Sequence, residues 1–116
     1  MGYICHNAIL ITAWTEEDGR RIHKSALDLY REFEVSAAGM RLPVLVTDTL
    51  VTVNGFTSFA VLPDGSKRGW PTSNRADEFR AAVVAMCRHS DCDWAAVTYG
   101  DEHGPSCITD TNVDPE

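Results

Sequence analysis

The stretch VTVNGFTSFAVLPDGSKRGWP, residues 51–71, carries the clearest strand and turn signals of the chain. Asn54-Gly55 is the preferred pair for a two-residue type I′ hairpin turn, because both central positions of that turn require positive φ. Phe56–Leu62 is therefore predicted as the return strand of a hairpin. Pro63-Asp64-Gly65-Ser66 ends that strand with turn-forming residues.

A strand and a helix precede this hairpin. Apolar residues occupy both alternating positions of Tyr3–Trp14, which is typical of a central strand covered on both sides. Thr15 is a predicted N-cap, and three acidic residues follow it where the helix dipole favours negative charge. We expect a helix to about Glu34, with Gly19 as its one weak point. Its predicted buried stripe consists of Ile22, Ala26, Leu29 and Phe33.

Further elements lie on either side of the hairpin. Leu42–Val53 predicts one or two strands with a bend at Asp48. A second helix is predicted from about Asn74 to His89, and strands are predicted at Trp94–Tyr99 and Ser106–Thr109. The expected buried stripe of the second helix consists of Phe79, Val83, Met86 and Cys87.

This order of elements predicts an α+β fold. The sequence β-α-β-β-α-β plus a short C-terminal strand matches the ferredoxin-like split βαβ plan, with the helices on one face of an antiparallel sheet. We expect a single domain over residues 1–110 and a frayed acidic tail over residues 111–116. A central first strand also implies apolar residues on the helix-free face, which favours dimerisation or partner binding there.

The charge of the chain is uneven along its length. Residues 1–88 carry ten acidic and ten basic residues, whereas the remainder carries seven acidic residues and no Lys or Arg, for a net charge of −7. Nucleic-acid-binding proteins usually show a basic stripe, so direct nucleic-acid binding is disfavoured. The acidic C-terminal quarter suits a basic protein partner, mimicry of a phosphate backbone, or simple solubility.

Four cysteines, Cys5, Cys87, Cys92 and Cys107, bear on the compartment and on metal binding. The sequence has no recognisable targeting signal or membrane span, so we expect a cytoplasmic protein with free thiols. Cys87, His89 and Cys92 lie close together, but their spacing departs from the usual zinc patterns. We therefore predict no metal and no cofactor, and no arrangement of nucleophile and base predicts a catalytic site.

The residues following the hairpin form the best candidate recognition loop. Lys67 and Arg68 lie beside Trp70, and an aromatic residue next to an Arg is the composition of interface hot spots. Asp101 and Glu102, in the acidic C-terminal quarter, complete the predicted partner-binding set. The alternative for both segments is a solvated connection without a binding role.

The blocks YICHNAILIT, NGFTSFAVLPDGSKRGW and WAAVTYGDEHG resemble those of an uncharacterised family of small proteins from actinobacterial phages and their hosts. The resemblance extends from about Tyr3 to Ile108. It implies an accessory phage protein that acts in the host cytoplasm, and it supplies no catalytic residues. Arg68 stands where this family commonly has an acidic residue, so the loop here is more basic.

These observations predict a non-enzymatic accessory protein that binds a host or phage protein, with no direct contact with nucleic acid or membrane. It would use the open sheet face or the loop at Lys67–Trp70, and the open face also allows a homodimer. Two alternatives stay open. One is a small metal-binding domain or enzyme that uses the Cys and His residues, and the other is an acidic inhibitor that mimics nucleic acid.

Overall fold

The computed structural model describes residues 5–35, 45–65, 70–100 and 106–112. Five strands form one antiparallel sheet in the order β2-β3-β1-β4-β5, and two helices pack against it, which confirms the predicted α+β class. The elements are β1 (His6–Ala13), α1 (Glu16–Val35), β2 (Leu50–Val51), β3 (Thr57–Val61), α2 (Pro71–Cys87), β4 (Cys92–Tyr99) and β5 (Cys107–Thr111).

The central position predicted for the first strand is confirmed, because β1 lies between β3 and β4. Ile11 stands opposite Phe59 on one side and Trp94 on the other. Cross-strand partners share a face of the sheet, and all three side chains are buried in the core. Both helices contribute to the same core, so both cover this face. Their buried residues include Ile22, Ala26, Phe79 and Val83.

The start of α1 follows its sequence signals. The amide of Asp18 donates to Thr15 Oγ1 at 3.1 Å, so Thr15 caps the helix as predicted. Gly19 has a role beyond helix propensity, since a Cβ placed there would lie 2.4 Å from Thr57 Cβ. The absence of a side chain therefore allows α1 to approach β3 closely.

The hairpin turn between β2 and β3 differs from the two-residue turn that we predicted. Val51 pairs with Thr57, and the amide of Thr52 donates to the carbonyl of Phe56 at 2.8 Å. This register leaves three residues in the loop instead of two. The amide of Gly55 closes the turn by donating to the carbonyl of Thr52 at 2.9 Å, with φ of +84° at Gly55. Such a three-residue loop ends on a left-handed glycine.

Helix α2 begins earlier than the predicted Asn74. Trp70 precedes it with extended backbone angles, and Pro71 occupies the first helical turn. Proline suits that position because its missing N–H would have no partner within the helix. Of the predicted buried stripe, Phe79, Val83 and Cys87 are buried, and Met86 is partly buried against the core. Within the described ranges, neither helix is both long and apolar enough to cross a bilayer.

The last described residues are held by side-chain hydrogen bonds. Strand β5 extends to Thr111, beyond the predicted end at Thr109. The amide of Trp94 donates to Asn112 Oδ1 at 3.0 Å, and Asn112 Nδ2 donates to the carbonyl of Cys92 at 2.8 Å. The chain is therefore fixed to β4 through Asn112, past the point at which we expected fraying to begin.

Candidate functional site

We call the sheet surface opposite the two helices the open face. Leu10 lies at its centre, opposite Ala60 of β3 and Ala95 of β4, and is 56% exposed. Farther out on the same face, Ile108 stands opposite Val97 and is 63% exposed. No helix in the described part of the chain covers these side chains. The centre of the open face is therefore an apolar surface in contact with solvent.

Polar pairs flank this apolar centre. The rings of His6 and Tyr99 lie at one end of the open face, with centroids 5.2 Å apart. Towards the other end, the hydroxyls of Thr12 and Ser58 share a hydrogen bond of 2.8 Å. An apolar centre with a polar rim is the usual anatomy of a protein–protein interface.

An acidic recess adjoins the far end of the open face. Trp14 is 64% exposed there, and its indole Nε1–H donates to Asp93 Oδ2 at 3.3 Å. The recess has a volume of about 480 Å³, and Asp18 and Asp91 also line it. No Lys or Arg of the described ranges does so. Carboxylates beside an exposed indole favour a cationic group, through charge and through cation–π attraction.

A second charged region lies on the helix-covered side and has different properties. Arg80 is 5% exposed, and its Nη2 donates to Asp64 Oδ1 at 2.8 Å and to Asp77 Oδ1 at 2.5 Å. Asn7 Nδ2 donates to the same Asp77 oxygen at 3.2 Å, and Thr98 Oγ1 donates to Asn7 Oδ1 at 2.8 Å. This network ties α2 to β1 and β4.

The network borders a groove of about 440 Å³ between α2 and the strands. Arg88, also on its wall, pairs with Asp110 of β5. Arg80 Nε is buried without a partner in the described part of the chain, but both Nη atoms of that side chain are engaged. Because the cations of the groove are already paired with carboxylates, the groove is better suited to holding α2 on the sheet than to binding a charged ligand.

Most of the predicted partner-binding residues lie outside the described ranges. This applies to Lys67 and Arg68 of the loop and to Asp101 and Glu102 of the acidic quarter, so their binding role stays a prediction. Trp70 is described, and it is 53% exposed at the start of α2. Its carbonyl accepts a hydrogen bond from the amide of Asn74 at 2.9 Å.

The cysteines were the candidate ligands for a metal-binding site. Cys87 and Cys92 are buried, and no disulfide joins them. Within residues 5–35, 45–65, 70–100 and 106–112, no three His, Cys, Asp or Glu side chains are grouped so as to hold a metal ion.

No family model, curated protein or solved structure matches this chain. The site therefore has to be interpreted from its own geometry.

Sequence reasoning anticipated the open face but not its arrangement. Apolar residues at both alternating positions of the first strand predicted apolar side chains on both faces of the sheet. Leu10 is the residue of this strand that lies at the centre of the open face. The acidic recess was not predicted, because Asp91 and Asp93 lie far from Trp14 and Asp18 along the chain. Only the antiparallel pairing of β1 with β4 brings them next to Trp14 and Asp18.

Proposed function

We propose that this protein is a non-enzymatic binding domain that takes a protein partner on its open face. The observation that carries this proposal is the exposed apolar centre around Leu10 and Ile108, on a sheet face without a described helix over it. Burying each such side chain contributes roughly 1.5–3 kcal/mol. Monomeric proteins seldom leave a contiguous apolar surface of this kind without a use for it.

The acidic recess indicates which residues the partner surface should carry. Trp14, Asp18 and Asp93 provide an aromatic surface and negative charge at one end of the open face. We therefore propose a partner surface with apolar residues at its centre and at least one Lys or Arg at its edge. The excess of acidic residues after Arg88 supports the same sign of charge.

The resemblance to small phage proteins supports a role as an accessory protein acting on a host or phage protein. We place that role in the host cytoplasm, where the free thiols of Cys87 and Cys92 would suit a reducing compartment. We also propose that the strand order β2-β3-β1-β4 corresponds to the ferredoxin-like plan, with β5 added at the edge. An experimental structure with a different strand order would overturn that assignment.

The test compares two variants in which one exposed apolar residue becomes acidic. Leu10→Glu places a charge at the centre of the open face, whereas Val53→Glu places the same charge in the β2–β3 turn, where Val53 is fully exposed. Both variants should fold like the original chain by circular dichroism. A protein captured from host lysate should be retained by Val53→Glu and lost, at least about tenfold, with Leu10→Glu.

Light scattering, the salt dependence of binding and the zinc content distinguish the remaining outcomes. A homodimer that Leu10→Glu dissociates would identify the partner as a second copy of this chain. Binding that weakens steeply with salt and is insensitive to Leu10→Glu would contradict the proposal and favour the acidic mimic. Stoichiometric zinc in the purified protein would instead favour the metal-binding alternative.

A further inference from the structure

Cys87 and Cys92 are brought together by a tight turn between α2 and β4. Cys87 is the last residue of α2 and Cys92 the first of β4. The turn is held by the amide of Ser90, which donates to the carbonyl of Cys87 at 3.1 Å, and by the amide of Cys92, which donates to the carbonyl of Ser90 at 3.0 Å. The Cys92 thiol lies 4.0 Å from the carbonyl oxygen of Cys87. The two buried cysteines therefore lie at the two ends of one fixed turn.

The two cysteines differ in their access to solvent. Both cysteines belong to the buried core, but Cys92 also lines the acidic recess beside Trp14 and is 6% exposed, against 1% for Cys87. A small molecule that enters the recess therefore meets Cys92 first. Cys87 is placed behind it as a second thiol.

The two thiols also differ in acidity. A hydrogen bond with the Cys92 thiol, together with burial, raises the pKa of Cys87. The same hydrogen bond lowers the pKa of Cys92, against the opposing effects of burial and of the Asp93 and Asp91 charges. Cys92 is therefore the more acidic of the two thiols, and the thiolate is the nucleophilic form of cysteine.

We propose that Cys92 and Cys87 form a peroxide-sensitive dithiol that closes to an intramolecular disulfide. The Cys92 thiolate attacks hydrogen peroxide, the O–O bond breaks, and with one proton the products are a sulfenic acid on Cys92 and water. The Cys87 thiol then attacks the Cys92 sulfur and forms the S–S bond, and a second water leaves. Two thiols are oxidised, and the two electrons reduce one peroxide to two waters.

The recess selects the class of oxidant. The carboxylates of Asp18, Asp91 and Asp93 surround the entrance to Cys92 and repel anions. Hydrogen peroxide is small and uncharged, whereas glutathione disulfide is large and anionic. The recess therefore fits a peroxide oxidant, and the proposal does not depend on the partner-binding function.

The test uses the double variant Cys5→Ser/Cys107→Ser, which keeps only the proposed pair. Trypsin cleaves after Arg80 and Arg88, so Cys87 and Cys92 fall on separate peptides, residues 81–88 and 89–116. After treatment of the folded protein with hydrogen peroxide, these peptides should be joined and the chain should be lighter by about 2 Da. Dithiothreitol should reverse both changes.

Two controls make the result decisive. Cys87→Ser in the same background should stop at the sulfenic acid on Cys92, trapped by dimedone, and form no link. The link should form at least about tenfold faster in the folded chain than in urea, because the fold lowers the pKa of Cys92. Equal rates, oxidation of Cys92 to sulfinic acid without a link, or a disulfide between two chains would each overturn the proposal.

Discussion

The two faces of the sheet use the same strands for different purposes. On the covered face, Ile11 lies between Phe59 and Trp94 beneath both helices and is 1% exposed. Its neighbour Leu10 is a residue of nearly the same size on the open face, and more than half of it meets solvent. From this contrast we expect the covered face to supply most of the stability of the fold, and the open face to tolerate substitution.

The largest effect is expected at Arg80, a charged residue on the covered side. Arg80→Ala removes the guanidinium that pairs with Asp64, whose side chain is 6% exposed. We expect the free energy of unfolding to fall by about 3–5 kcal/mol in urea denaturation, because breaking a buried ion pair by removing one partner is costly. Arg20→Ala removes an exposed pair with Glu16 and should cost less than about 1 kcal/mol. Equal losses for the two variants would contradict a structural role for the buried network.

The next prediction compares the two faces directly through adjacent residues of β1. Ile11→Ala should lower the free energy of unfolding by about 2–5 kcal/mol, since it leaves a cavity in the core. Leu10→Ala removes an apolar side chain from the open face and should cost less than about 1 kcal/mol. Thermal and urea denaturation measure the loss of stability in both variants. A large loss for Leu10→Ala would mean that the open face is covered in solution.

The smallest of these effects concerns the contact of α1 with the sheet. Gly19→Ala would normally stabilise a helix by about 1 kcal/mol. Here the added Cβ would lie 2.4 Å from Thr57 Cβ, so we expect the substitution to destabilise by about 1–3 kcal/mol. In a Thr57→Gly background the clash is absent, and Gly19→Ala should then be stabilising. A stabilising effect in the unaltered background would show that α1 does not approach β3 so closely.

Sequence reasoning succeeded where short-range signals agree with the final contacts. The Thr15 cap, the periodic stripe of α1 and the central place of β1 were all predicted, and the structure has them. It failed at the hairpin turn, where the local preference of Asn54-Gly55 gave way to the register of β2 against β3. Strand pairing decides loop length there, because a shift by one residue would move every side chain to the other face.

The candidate site was predictable only in part. Exposed apolar residues on the open face follow from the composition of β1, once the helices are known to lie on one side. The recess joins Trp14 and Asp18 to Asp91 and Asp93, which are more than 70 positions away in the chain. The roles assigned to Lys67, Arg68, Asp101 and Glu102 stay predictions.

The sequence by itself determined the two helices, the order of the elements along the chain and the acidic character of the C-terminal quarter. These features depend on periodicity, capping and composition, which act over a few neighbouring residues. Only the tertiary structure decided which face of β1 is covered, why Gly19 must lack a side chain, and that Cys87 and Cys92 meet beside an acidic recess. These features depend on burial and contact between distant segments, and both arise only when the sheet and helices have packed together.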